Sequence, residues 1–156
     1  MCYLVVVTAT NTPVCLGLIA SALALCSCSP TAYVPDLATR PYPLEHHTTK
    51  TADVQCFRRG TDLEIVNSTA QSYADFDLWI NQRYTHRLSS LPAGATLRIS
   101  LWEFFDQHGQ RFYAGGLFRS YPSEPVRLVE IQTGPDQPLI GLVAIRSEPV
   151  VTIEKQ

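Results

Sequence analysis

Residues 75–101 read DFDLWINQRYTHRLSSLPAGATLRISL, and the alternation within them decides the fold class. Phe76, Leu78 and Ile80 alternate with Asp75, Asp77 and Trp79, while Leu97, Ile99 and Leu101 alternate with Thr96, Arg98 and Ser100. A period of two sends successive side chains to opposite faces of a strand, so each run has one apolar and one wet face. Between these runs Tyr84, His86 and Leu88 share a side. A three-residue loop at Asn81-Gln82-Arg83 aligns Ile80 with Tyr84, Leu78 with His86 and Asp77 with Arg87. That register keeps the apolar set together and pairs opposite charges on the other face. A two-residue Asn81-Gln82 turn flips it and sets Trp79 beside Tyr84. Asn-Gly would settle the matter; Asn-Gln does not.

Outward from this stretch the same texture continues. Short runs rich in β-branched, aromatic and Leu residues recur at 53–58, 62–67, 75–80, 83–88, 95–101, 111–119, 126–132, 139–146 and 150–154. Gly60-Thr61-Asp62, Pro92-Ala93-Gly94, His108-Gly109 and Gly134-Pro135-Asp136 punctuate them, and Gly109 is expected to take a positive φ angle. No segment keeps a 3.6-residue period for three turns. Seven to nine strands in about 100 residues predict one all-β domain over residues 53–156, arranged as an immunoglobulin-like β-sandwich.

The run LEIVNST…DFDLWIN…LPAGATLRISLWEFFDQHGQRF resembles immunoglobulin- or fibronectin-III-like domains of small bacterial envelope lipoproteins over residues 62–113. An Asn after the Ile-Val strand, the xLWIN strand, the Pro-Ala-Gly turn and an aromatic stretch closed by Asp-x-x-Gly carry the likeness. The Cys–Trp–Cys pattern of antibody domains is absent. What the resemblance implies is a binding or spacer module without a defined ligand.

The N-terminus has a different character. Residues 14–25 (VCLGLIASALAL) form an apolar run of signal-peptide length, short for a membrane span. No Lys or Arg precedes it. Leu25-Cys26-Ser27-Cys28 resembles a bacterial lipobox with Cys28 as the lipidated residue; Leu23-Ala24-Leu25-Cys26 offers Cys26 instead, and cleavage after Ala24 is the rival processing. Residues 1–28 are thus expected to be a lipoprotein signal, and localisation a membrane-anchored position in the cell envelope, with secretion as the alternative. If Cys28 is lipidated, Cys56 is the sole cysteine left in the domain, and it reads as a buried apolar residue. Residues 29–52 hold Pro30, Pro35, Pro41 and Pro43 and are expected to form an extended tether, tens of ångströms long.

The chain has 156 residues, a net charge of −2, and basic residues scattered singly apart from Arg58-Arg59, which is expected to flank a turn. Such a chain lacks the positive field that phosphate binding requires, so nucleic acid is not an expected partner. No phosphate loop, zinc helix or nucleophile motif is present in the sequence, and no cofactor or metal is expected. Asp75 and Asp77 read as a solvated face partly paired with arginine rather than a Ca²⁺ site. Asp106 and His108 could serve acid–base chemistry only within a cleft; the simpler reading is a hairpin turn. Trp79, Tyr84 and Trp102 are the candidate contacts for a ligand or partner. The leading expectation is a non-catalytic protein mediating interaction or envelope assembly. A carbohydrate- or peptidoglycan-binding module using exposed Trp79 and Tyr84 is the alternative, and a small hydrolase-like enzyme the least favoured.

Overall fold

Gly60, at φ +64°, lets Arg58-Arg59 turn back on Asp62 through the two-residue link Gly60-Thr61. The hairpin so formed joins β1 (Thr51–Arg59) to β2 (Asp62–Asn67), and places Val54, Cys56, Leu63 and Ile65 on one buried face. The structure, a computed structural model, describes residues 33–116 and 122–145. The signal segment with Cys26 and Cys28, and the strand expected at 150–154, lie outside the described residues.

The second hairpin joins β3 (Tyr73–Ile80) to β4 (Tyr84–Leu91). Its loop has three residues, so Ile80 faces Tyr84, Leu78 faces His86 and Asp77 faces Arg87, the charge-pairing register. Asn81 and Gln82 both take positive φ, +53° and +57°. Asn81 tolerates this because its side chain and backbone are tied to the neighbouring segment. Its Nδ2 donates to the Pro125 carbonyl at 2.7 Å, its Oδ1 accepts from Arg127 N at 2.8 Å, and its own N–H donates to Leu128 O.

Six further elements complete the described fold: β5 (Thr96–Ser100), β6 (Val129–Gln132), β7 (Ile140–Ile145) and three single 3₁₀ turns, two of them in the N-terminal segment at Pro35–Leu37 and Leu44–His46. A third 3₁₀ turn, Leu101–Glu103, follows β5 directly. All seven strands belong to one sheet, in the order β4-β3-β6-β7-β1-β2-β5, with β1 and β7 parallel and every other pair antiparallel. The all-β class and a strand number of seven hold. The two layers of a sandwich are here continuous, because β6 and β7 insert between β3 and β1 and carry the hydrogen bonding from one half to the other, giving a nearly closed, barrel-like sheet. Among the described residues of the run expected at 111–119, only Arg111 pairs, in an isolated bridge to Phe105.

Curling is forced by chain length. β4 and β5 lie at opposite ends of the strand order, about 29 Å apart in a flat sheet of seven strands at about 4.8 Å spacing. Yet Leu91 and Thr96 are joined by the four residues 92–95, and five residue steps span at most about 18 Å. The sheet therefore closes on itself around a core that includes Phe76, Leu78, Ile80, Phe104, Phe112 and Ile131. Asn67, fully buried, stitches the closing turn. Its Nδ2 donates to the carbonyls of Gln71, Leu91 and Pro92 at 2.8, 3.3 and 2.9 Å, and its Oδ1 accepts from Thr69 N and Oγ1. Its backbone accepts from Gly94 N and donates to Ala95 O.

Asn67→Ala should cost about 2–4 kcal/mol in urea unfolding, because it removes the five hydrogen bonds of a fully buried amide and leaves the Leu91 carbonyl without a donor, while the Gln71 and Pro92 carbonyls keep Thr69 Oγ1 and Ala95 N. Asn67→Asp should cost at least as much at neutral pH, since it turns an acceptor oxygen toward three carbonyls. Two variants with wild-type midpoints would show that the turn closes without this amide.

Candidate functional site

Trp79 is buried at 0% exposure, so it is not the surface contact expected from its place opposite Phe76, Leu78 and Ile80. The cause is the proline-rich segment. From Tyr33 to Lys50 it is a docked strap and not an extended tether: Tyr33 to Thr39 bond the 105–110 turn, Arg40, Tyr42 and His47 cover the outer face of β3 and β6, and His46 to Lys50 bond Leu139 and Gly141. Arg40 sets its guanidinium 5.1 Å over the Trp79 ring, donates to Asp77 Oδ2 at 2.7 Å and also bonds Gln132 Oε1. Tyr42 packs edge-on to Trp79, ring centroids 5.4 Å apart at 87°, and donates its hydroxyl to Glu130 Oε2 at 2.8 Å. Burial, then Glu130, push the Tyr42 hydroxyl well above the ordinary tyrosine range. His47 Nδ1 lies 2.8 Å from the other Glu130 oxygen. The strap thus meets the buried polar side chains Glu130 and Gln132 with partners, and gives β3 two buried faces where sequence alternation showed one.

Tyr84 is also buried, at 4%, and belongs to the core: its ring stacks edge-on to Phe112 and its hydroxyl donates to Glu124 Oε2 at 2.9 Å. Neither residue can offer a flat stacking surface to a sugar. Trp102 differs. It is half-buried, packs edge-on to Tyr113 at 5.9 Å, and lines a cavity. Cys56 is buried in the core, and burial pushes its thiol up to about 12, which removes it as a nucleophile near neutral pH.

Asp106 and His108 border a cavity of about 540 Å³ that the strap residues Pro41, Tyr42 and Leu44 also line. The Asp106 carboxylate is already saturated. Oδ2 accepts from Arg83 Nε and Nη2 at 3.0 and 2.8 Å, and Oδ1 from the backbone N–H groups of His108 and Gln110 at 2.9 and 2.8 Å. Burial raises its pKa, but the Arg83 bond and the two backbone donors outweigh it, so the carboxyl titrates below its ordinary value of 3.8. A carboxylate held that low is a weak proton acceptor, and its part here is to shape the hairpin turn at Gly109 (φ +76°). Gly109 is required: a Cβ there would run into the Val34 backbone, where the strap begins with the bond Val34 N to Gly109 O.

A cavity of about 610 Å³ lies on the other side of the strap, beside β4. Leu37, Trp102 and Phe105 supply apolar wall; Arg40, Arg87 and Arg111 supply cationic groups. Arg40 and Arg87 are both committed to Asp77. Arg111 is not committed. Its Nε is buried without a hydrogen-bond partner, its guanidinium lies 5.1 Å from the Phe105 ring centroid, and no carboxylate pairs with it among the described residues. The cavity adjoins a free sheet edge. β4 is the first strand in the order, and among the described residues its outer edge is engaged at its two ends: Thr85 exchanges both backbone bonds with Phe105 at 2.9 and 3.3 Å, and the Leu91 carbonyl accepts from Asn67 Nδ2. Outward-pointing backbone groups recur every second residue, so those of Arg87 and Ser89 come next, and neither has a backbone partner among the described residues.

The sequence reading named Trp102, which lines this cavity, and did not name Arg111 or the β4 edge. Which arginine is left over becomes visible only after the strap has claimed Asp77 and the turn has claimed Asp106.

Tyr42→Ala, made in a Trp102→Phe background so that Trp79 alone emits, should raise acrylamide quenching and shift emission to the red. Unchanged quenching would mean the strap does not cover the ring. Asp106→Asn should cost about 1–2 kcal/mol at pH 6, a modest figure because Arg83 is half exposed. The Asp106 carboxyl titrates below 3.8 when folded, so its stabilisation is full above 3.8 and is lost as pH falls through the lowered value. The gap between the two proteins should therefore close as pH drops below that point; a gap constant from pH 6 to pH 2 would contradict the assignment.

Comparisons with protein-family models, with curated proteins and with solved structures return no match to this chain.

Proposed function

We propose that this chain is a non-catalytic binding protein, anchored in the cell envelope by lipid on Cys28, that takes a protein partner along the free edge of β4. One observation carries the binding part: an unpaired strand edge opens onto a cavity that holds an uncommitted arginine. An edge of this kind supplies backbone donors and acceptors to an added strand, and the neighbouring cavity supplies selectivity. Burial of Trp79 and Tyr84 removes the two aromatics on which a glycan platform would rest. The anchor rests on the apolar run at 14–25 and on Leu25-Cys26-Ser27-Cys28.

Because the strap engages from Tyr33 onward, only residues 29–32 separate Cys28 from the folded part. Five residue steps reach at most about 18 Å. Under this reading the domain sits close against the bilayer surface, and its partner is met there rather than across a long spacer.

Two measurements test the proposal. The intact mass of protein purified from the membrane fraction should show a chain starting at Cys28 with added diacylglyceryl, absent from Cys28→Ser. A photo-crosslinking side chain in place of Ser90 should give a discrete protein adduct in the envelope, lost when Ser89→Pro is added. That substitution removes an outward N–H and leaves the β3–β4 bonds intact. An unlipidated chain would sink the anchor. Adducts that form equally from Lys50, or that survive Ser89→Pro, would sink the edge.

A further inference from the structure

We infer that the cavity at Arg111 is a subsite for a chain-terminal carboxylate, so that the partner laid on β4 is the extended C-terminus of a protein ending in an apolar residue. This rests on the edge-docking reading above and names its ligand. Three features lead to it.

The free edge has a stop. A strand added alongside Arg87 and Ser89 cannot continue past Thr85, because Phe105 already holds both backbone bonds there. An incoming chain must end or turn away at that point. The cavity lies at that stop, since Thr85, Arg87 and Phe105 are among the residues that line it.

The charge at the stop is net positive: Arg40, Arg87 and Arg111 stand against Asp77, which Arg40 and Arg87 share, and Glu103, which lies 3.5 Å from His86 Nε2. Arg87 is shared with Asp77, at 3.1 Å, and 61% of its side chain remains exposed. Among the described residues Arg111 has no anionic partner, and a buried Nε without an acceptor is a group that a native protein normally satisfies. A guanidinium presents a planar fork that matches a carboxylate, while it repels an amino terminus. The end that fits is therefore the C-terminus, which makes the added chain antiparallel to β4, entering beside Ser89, short of the Leu91 carbonyl that Asn67 holds.

The remaining wall is apolar. Leu37 is 45% exposed beside Trp102 and Phe105, a combination that suits an aliphatic last side chain. A free amino acid would gain the carboxylate contact but not the strand bonds, so length matters as well as charge.

The test uses the full chain and two fluorescein-labelled probes of sequence Gly-Ser-Thr-Thr-Val-Val, one with a free C-terminal carboxylate and one amidated, followed by fluorescence anisotropy. The free acid should bind about tenfold or more tightly than the amide, the worth of a charge-assisted bond made in a partly dry site. Arg111→Gln should weaken the acid by the same factor and leave the amide unchanged, while Ser89→Pro should weaken both. The acid–amide comparison on the unaltered protein stands even if Arg111→Gln perturbs folding. Equal binding of acid and amide, both still lost in Ser89→Pro, would overturn the carboxylate subsite and leave edge docking standing. No binding of either probe at about 1 mM would overturn edge docking, and this inference with it.

Discussion

The side-chain amide of Asn67 holds the one turn that makes a flat sheet impossible. Four residues connect the strands at the two ends of a seven-stranded order, so closing the sheet and making that turn are the same event. The turn brings the Leu91 carbonyl into the interior, where a carbonyl without a donor costs about 1–3 kcal/mol, and sets the Pro92 carbonyl beside it at the partly buried margin. Asn supplies two N–H groups toward these carbonyls and one oxygen toward Thr69, a set that neither Asp nor an aliphatic residue can reproduce. At the other end, the Thr85–Phe105 bridge ties β4 to the chain that leaves β5. The two edges are thus fixed at both ends and unpaired between them, and that is where the binding edge arises.

A second consequence runs through the outer face. Curling exposes the convex side of β3 and β6, which bears Trp79, Asp77, Glu130 and Gln132. On that side a buried indole needs cover and a buried carboxylate needs partners. The strap brings each: Arg40 and Tyr42 close the two approaches to Trp79, whose Nε1 has no hydrogen-bond partner among the described residues, while Arg40, Tyr42 and His47 answer Asp77 and Glu130. Prolines at 35, 41 and 43 suit the role, because they restrict the unbound strap and lower the entropy lost on docking. The same stiffness that makes such a segment a good spacer makes it a good brace.

How much of this was legible in the sequence follows from the range of each interaction. Class, most strand positions and the two candidate registers of the β3–β4 hairpin are set by side chains within about ten residues of one another, and alternation displays them; the loop length that selects the Asp77–Arg87 register is not displayed, because Asn81-Gln82 fits either turn. Gly60 and Gly109 were readable as turns for the same reason. Trp79 was misplaced because its cover comes from Arg40 and Tyr42, some 40 residues away, and alternation within β3 records only one of the two faces. Likewise the merging of two layers into one sheet depends on where β6 and β7 insert, a choice made by long-range pairing that no local pattern marks. Arg111 was invisible for a related reason: an arginine is uncommitted only relative to all the carboxylates that found other partners.

The most direct measurement of the central claim, a braced and nearly closed sheet with one free edge, is native-state hydrogen exchange resolved by residue. The account predicts that the amides of Thr39, Leu44 and His47 in the strap exchange slowly, as do Leu78, His86 and Leu88, whereas Arg87 and Ser89 exchange at rates close to those of an unstructured chain. Fast exchange throughout the strap, or slow exchange at Arg87 and Ser89 in the isolated protein, would contradict it.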